Sequence, residues 1–156
     1  MLISRRALMV LSALSPIAAC GYKRTYEDVS SKPQYKPMVG SVYKVVGTLY
    51  AHGIRKHSKA PVDSVVLVPP PGFMGSEVGF KFAIKEGTVF KVRKVLMTNR
   101  VFDPPLTLDV EYLGDDLAPD LPVHIDLFRG NEGETELSLN PKIYQKVDIG
   151  PSVRFV

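Results

Sequence analysis

The chain has 156 residues, of which 45% are hydrophobic and 23% charged, and its formal net charge is +4. These values are ordinary for a globular protein. The single cysteine excludes an internal disulfide, so the folded state must be stabilised by an apolar core.

The N-terminus has the pattern of an export signal. Arg5 and Arg6 form a short positive region, and residues 7–14 are apolar over a length well below the roughly 20 residues that a membrane-spanning helix needs. Two small residues, both alanine at 18–19, then precede Cys20. Small side chains at that point are typical of a segment that a processing protease must take up in extended form.

The four residues Ile17-Ala18-Ala19-Cys20 resemble the lipobox of bacterial lipoproteins. The resemblance covers only this part of the chain. It implies that residues 1–19 are a signal peptide and that Cys20 becomes the first mature residue, carrying a diacylglycerol thioether and an N-acyl chain such as palmitate. Several acyl chains anchor a protein durably, because each buried methylene contributes about 0.8 kcal/mol. An ordinary cleaved signal peptide or a signal anchor is the alternative.

Two details of this region bear on export and sorting. The segment Ser4 to Met9 partly resembles the twin-arginine export signal, although Val10 stands where a lysine is typical, so general and twin-arginine export both stay open. Gly21 follows the cysteine where an aspartate would resemble the inner-membrane retention signal of enteric bacteria. The resemblance therefore implies a location in the cell envelope, at the outer membrane and facing the periplasm.

Residues 21–40 are polar, contain Pro33 and Pro37, and show no sustained apolar period. With Cys20 they are interpreted as a lipidated N-terminus and a flexible tether over residues 20–40. Residues 41–156 then form a single β-rich domain.

The pattern after Val42 predicts an all-β fold. Thr88 to Met97 begins in the alternating phase, but Arg93-Lys94 breaks it, which indicates a bulge or a switch of face. Asn140-Pro141 predicts one short helical turn near 140–145. Many short strands favour a small β-sandwich or a partly closed barrel of the SH3 or OB type. Apolar and polar residues alternate at 80–85, 106–112 and 123–128, and residues 65–68 form a continuous apolar run.

Basic and acidic residues are distributed unevenly. Residues 20–100 contain 14 Lys and Arg against 5 Asp and Glu, whereas residues 101–156 contain 4 against 11. The mature chain as a whole is close to neutral, which argues against nucleic-acid binding. One interpretation is cross-strand pairing in a hairpin, with Lys91 and Arg93 beside Asp109 and Glu111. The other is a basic face for an anionic partner.

No catalytic constellation stands out. His52 and His57 lie five residues apart, which suits neither a helix nor a strand for binding one metal, and His124 and Asp126 lack an evident nucleophile. The acidic residues of LGDDLAPD lack the full ligand set of a calcium loop. We therefore expect no catalytic residue, no metal and no cofactor.

Two stretches are candidate recognition surfaces. Phe73 and Met74 follow three prolines and form an apolar tip, unless Phe73 packs back onto the core. Arg55, Lys56 and Lys59 lie in a second, basic loop. The first expectation is a non-enzymatic, lipid-anchored envelope protein that binds another envelope protein or acts as an accessory of a larger envelope assembly. The alternatives are a module for an anionic polymer such as lipopolysaccharide, which would also use Lys91 and Arg93, and a small hydrolase.

Overall fold

A computed structural model describes residues 25–99, 106–115, 117, 120–135 and 137–148. It confirms the all-β prediction. Beyond one 3₁₀ turn at Lys36–Met38, the described residues contain no helix. None of them belongs to a helix long and apolar enough to span a membrane. The nine strands are β1 Tyr26–Asp28, β2 Val42–Val45, β3 Tyr50–Ile54, β4 Ser64–Val68, β5 Val78–Ala83, β6 Val89–Thr98, β7 Leu106–Tyr112, β8 Val123–Asp126 and β9 Tyr144–Val147.

The strands form one mixed sheet in the order β5-β3-β4-β8-β7-β6-β2-β9, and β1 pairs with the C-terminal half of β6. Neighbouring strands are antiparallel except β4 and β8, which are parallel. The sheet is not closed into a barrel.

Alternation along the strands separates the two faces of the sheet. Ala51, Val65, Leu67, Val123 and Ile125 belong to the main core cluster, together with residues of β2, β6 and β7. The residues between them point to the opposite face, which we call the second face. The continuous apolar run of β4 is buried on both faces, as its composition predicts.

The predicted break of phase in β6 is a β-bulge. Val92 lies opposite Val110 and Lys94 lies opposite Asp109, so Arg93 is the extra residue. Its guanidinium reaches the Asp109 carboxylate at 3.0 Å. Lys91 lies opposite Glu111. Basic and acidic residues therefore face each other across this hairpin, and an ion pair engages Arg93, one of the cations considered for polymer binding.

The prediction of a flexible tether over residues 20–40 does not hold for residues 26–40, which pack onto the sheet. Strand β1 pairs with β6, and Val29, Tyr35 and Met38 are buried. Apolar residues spaced irregularly among polar ones give no sequence period, yet they pack because the surrounding sheet offers them a surface. Cys20 and the segment interpreted as a signal peptide lie outside the described residues.

The predicted helical turn near 140–145 is a single hydrogen-bonded turn. The Asn140 side chain accepts the Lys142 N–H at 3.0 Å, and the Tyr144 N–H donates to the Asn140 carbonyl at 2.9 Å. No helix follows, because Tyr144 already begins β9 and pairs with Val45.

Candidate functional site

The second face carries a row of side chains across its central strands. His52 of β3 lies opposite Val66 of β4, and Val66 lies opposite His124 of β8. His52 is fully buried although the sheet core is on the other side. Something must therefore cover this row.

The loop 69–77, which joins β4 to β5, provides that cover. The Phe73 backbone N–H donates to His52 Nε2 at 3.3 Å, and the Phe73 ring meets the imidazole edge-on at 5.4 Å between centroids. Gly72 has φ +76°, and a Cβ there would lie 2.6 Å from His52 Nε2, so this close approach requires glycine. Lys81 Nζ donates to the Pro71 carbonyl at 3.3 Å. The loop is thus fixed at its base.

The environment of His52 favours the neutral imidazole. Burial lowers the pKa of His52, and the nearby Lys81 ammonium lowers it further, outweighing the opposite effect of the Tyr50 and Val66 backbones. An unprotonated Nε2 is also what the Phe73 N–H needs as its acceptor.

A turn after β8 places Arg129 over the same loop. Arg129 has φ 58° and is the one non-glycine residue of the described part of the chain with a positive φ. Its guanidinium lies 4.6 Å from the centre of the Phe73 ring and 5.3 Å from that of Phe128. An arginine over aromatic rings in an uncommon backbone conformation is a typical feature of a functional site.

Asn131 holds this turn in place. It is fully buried, and its Nδ2 donates to the Leu67 carbonyl at 2.9 Å and to the Asp126 carbonyl at 3.1 Å. Its Oδ1 accepts the Tyr144 hydroxyl, whose pKa burial raises. The position of Arg129 is therefore tied to β4, β8 and β9.

A cavity of about 490 Å³ lies between these parts. Tyr26 of β1 forms one wall and stacks on His124 at 5.6 Å between ring centroids. Arg55 forms another and donates from Nε to the Ser76 carbonyl at 2.9 Å. We call it the Arg55–Arg129 cavity. The residues that line it are Tyr26, Ile54, Arg55, Ser64, Val66, Phe73, Glu77, His124, Asp126 and Arg129.

The charged side chains of this cavity differ in their ion pairs, hydrogen bonds and exposure. Within the described part of the chain, neither Arg55 nor Arg129 has an ion-paired carboxylate. The Asp126 side chain is buried and accepts the Thr107 hydroxyl at 2.6 Å, whereas Glu77 is exposed. Two guanidinium groups therefore line a cavity that also contains two carboxylates, and within the described ranges neither guanidinium forms an ion pair with them.

The structure brings together residues that the sequence placed in separate surfaces. Phe73 and Arg55 line the same cavity, while Lys56 and Lys59 are exposed on the adjoining loop 55–63. The expected apolar tip is divided: Phe73 turns inward and is half-buried, and Met74 alone projects, with 91% of its surface exposed. Arg129 was missed, and an arginine before a glycine in a turn was its only sequence signal.

Among the described residues, no nucleophile is positioned beside His124 and Asp126. Ser64 lines the same cavity, but its hydroxyl donates to the Asp63 carboxylate at 3.0 Å. Among the described residues, no three His, Cys, Asp or Glu side chains group as metal ligands.

Compared with models of protein families, with curated proteins and with solved structures, the chain matches none.

Proposed function

We propose that this chain is a non-enzymatic lipoprotein of the bacterial envelope, anchored in the outer membrane through lipid on Cys20, that binds another envelope protein. The lipobox-like residues 17–20 support the anchor. The partner-binding surface consists of Phe73, Met74 and the adjoining Arg55, Lys56 and Lys59, and we call it the tip surface.

The exposure of Met74 is the observation that carries this proposal. A large apolar side chain that is 91% exposed contributes nothing to the fold, and its loop is held by the hydrogen bonds of Phe73, Pro71 and Ser76. Because the backbone on either side of Met74 is already held, binding requires little further ordering of the loop, which favours association. Methionine also adapts its shape to a partner surface.

The tip surface also has a charged rim. Lys56 and Lys59 are exposed, and Arg55 and Arg129 lie beneath the loop. An apolar centre within a polar rim is the usual composition of a protein interface. A partner with an apolar socket and acidic surroundings fits it.

The engagement of the polar groups near His124 supports a non-enzymatic role. The Ser64 hydroxyl faces Asp63 and the Asp126 carboxylate faces Thr107, so neither is offered to His124 in the order that a hydrolytic triad needs.

The experiment is site-specific photo-crosslinking in intact cells. A photoreactive amino acid at Met74 is expected to capture one protein of the envelope fraction reproducibly, and the same group at exposed Lys85, in the turn between β5 and β6, serves as the control. Crosslinking at position 74 no greater than at position 85 would contradict the proposal.

Binding of an anionic envelope polymer is the second candidate. Four cations on or beside two adjoining loops favour it, namely Arg55, Lys56, Lys59 and Arg129. The two functions differ in salt dependence, because contacts between exposed charges are screened over about 8 Å at physiological ionic strength. At about 0.5 M salt, the yield of capture through Met74 is expected to stay close to its low-salt value. Polymer binding should be lost at the same salt concentration.

A further inference from the structure

We propose that the Arg55–Arg129 cavity binds the carboxylate of an acidic side chain of the partner. This inference rests on the proposed function and names the chemistry of the bound segment: an acidic group for the cavity, next to an apolar residue that meets Met74.

Arg129 is oriented to bind an anion. Its guanidinium carbon lies 4.6 Å from the centre of the Phe73 ring and 5.3 Å from that of the Phe128 ring, and within the described ranges no carboxylate forms an ion pair with it. The N–H groups of a guanidinium lie in its plane and match a planar, two-oxygen acceptor such as a carboxylate. The Asn131 hydrogen bonds fix the turn before any ligand arrives.

Arg55 contributes a second cation. It is half-buried, and its Nε–H donates to the Ser76 carbonyl, which holds the Arg55 side chain against the loop 69–77. Its two terminal amino groups have no carboxylate within the described ranges. Cations gathered around one concave space raise the local concentration of anions, because the low-dielectric walls focus their field.

The charge balance favours one carboxylate over a polyanion. The cavity also contains Glu77 and Asp126, so its two arginines are opposed by two acids, one of them buried at its floor. A chain of phosphates would meet Glu77 as well as the arginines. The volume of about 490 Å³ lies toward the lower end of small-ligand sites, which suits one or two side chains. A short acidic peptide segment therefore fits best.

The test uses the full mature chain in detergent micelles, with ¹⁵N-labelled arginine. The probes are two tripeptides, acetyl-Leu-Glu-Leu-amide and acetyl-Leu-Gln-Leu-amide, which differ only in the carboxylate. We expect the Nε–Hε signals of Arg55 and Arg129 to shift with the Glu peptide, and its affinity to be about tenfold or more above that of the Gln peptide, since hydrogen bonds to charged groups contribute about 1.5–3 kcal/mol. Equal affinities would overturn the inference.

Matched variants locate the binding. Arg129→Gln and Arg55→Gln are each expected to reduce the affinity for the Glu peptide about tenfold. Lys85→Gln, at an exposed turn outside the cavity, is expected to leave it unchanged. Inorganic phosphate that binds these arginines more tightly than the Glu peptide would also overturn the inference, in favour of a phosphate ligand.

The two proposals fail separately. Capture at position 74 in cells without discrimination between the tripeptides would sustain the partner-binding function and reject the carboxylate site. Discrimination between the tripeptides without capture in cells would sustain the carboxylate site and reject the partner-binding function of the tip surface.

Discussion

Asn131 shows how one buried polar side chain positions a residue of the proposed binding site. Its amide joins the carbonyls of Leu67 and Asp126 and the hydroxyl of Tyr144, which lie on three different strands or their ends. The backbone turn that carries Arg129 is thereby set by the fold rather than by its own conformational preference, which at φ 58° is unfavourable for arginine.

Asn131→Ala is expected to lower the free energy of unfolding by about 3 kcal/mol, because it leaves buried carbonyls and a buried hydroxyl without partners. Urea denaturation measures this change. Gln145→Ala, at an exposed position of β9, is the control and is expected to stay within about 0.5 kcal/mol of the parent. A loss below about 1 kcal/mol for the Asn131 variant would show that water or rearrangement replaces its hydrogen bonds.

His52 links stability to pH. Its pKa in the folded state lies below the usual 6.5 because it is buried and close to Lys81. Below pH 6.5 the unfolded chain therefore binds a proton that the folded chain does not, and stability falls as the pH falls from that value toward the folded pKa.

His52→Gln removes this titration. In urea titrations between pH 7.5 and 5, the parent is expected to lose stability relative to the variant by up to about 1.4 kcal/mol per pH unit, the limit for one proton. Above pH 7 the difference between the two proteins should not depend on pH. Parallel pH profiles throughout would show that His52 titrates alike in both states.

At the scale of elements, the sequence predicted the strands in which apolar and polar residues alternate. We could predict the alternation in β5, β7 and β8, and the break at Arg93, because the polarity of each strand residue indicates the face of the sheet on which its side chain lies. Strand β1 and the packing of Val29 could not be predicted, since a three-residue exposed strand has no pattern of its own. The parallel pairing of β4 with β8 joins residues about 60 positions apart, so the meeting of Phe73, Arg55 and Arg129 could not be inferred.

The bulge in β6 gives a prediction for deletions. Removing Arg93 brings Val92 and Lys94 into direct succession, which restores regular alternation against β7, so we expect a folded protein that has lost less than about 2 kcal/mol. Removing Asp109 instead shifts Leu106 and Leu108 out of phase and is expected to abolish folding. Circular dichroism and urea denaturation measure both. An unfolded Arg93 deletion would show that the bend itself is required.

At the scale of the whole molecule, the anchor and the binding surface are proposed to be separate devices on one chain. Cys20→Ala is expected to block lipid-dependent processing and to release the domain from the membrane, because the acyl chains supply the anchoring. Cell fractionation and mass spectrometry of the purified chain measure both effects. Recovery of the variant in the membrane fraction with unchanged processing would contradict the anchor.

Tyr26 forms a wall of the Arg55–Arg129 cavity and lies only six residues after Cys20. A fully extended chain covers at most about 3.6 Å per residue, so Tyr26 cannot stand more than about 22 Å from an acylated Cys20. Under the proposed lipid anchor, the cavity is confined to a thin layer next to the lipid headgroups. A partner would then have to come to the membrane surface, and one embedded in the same leaflet would meet the cavity by two-dimensional diffusion.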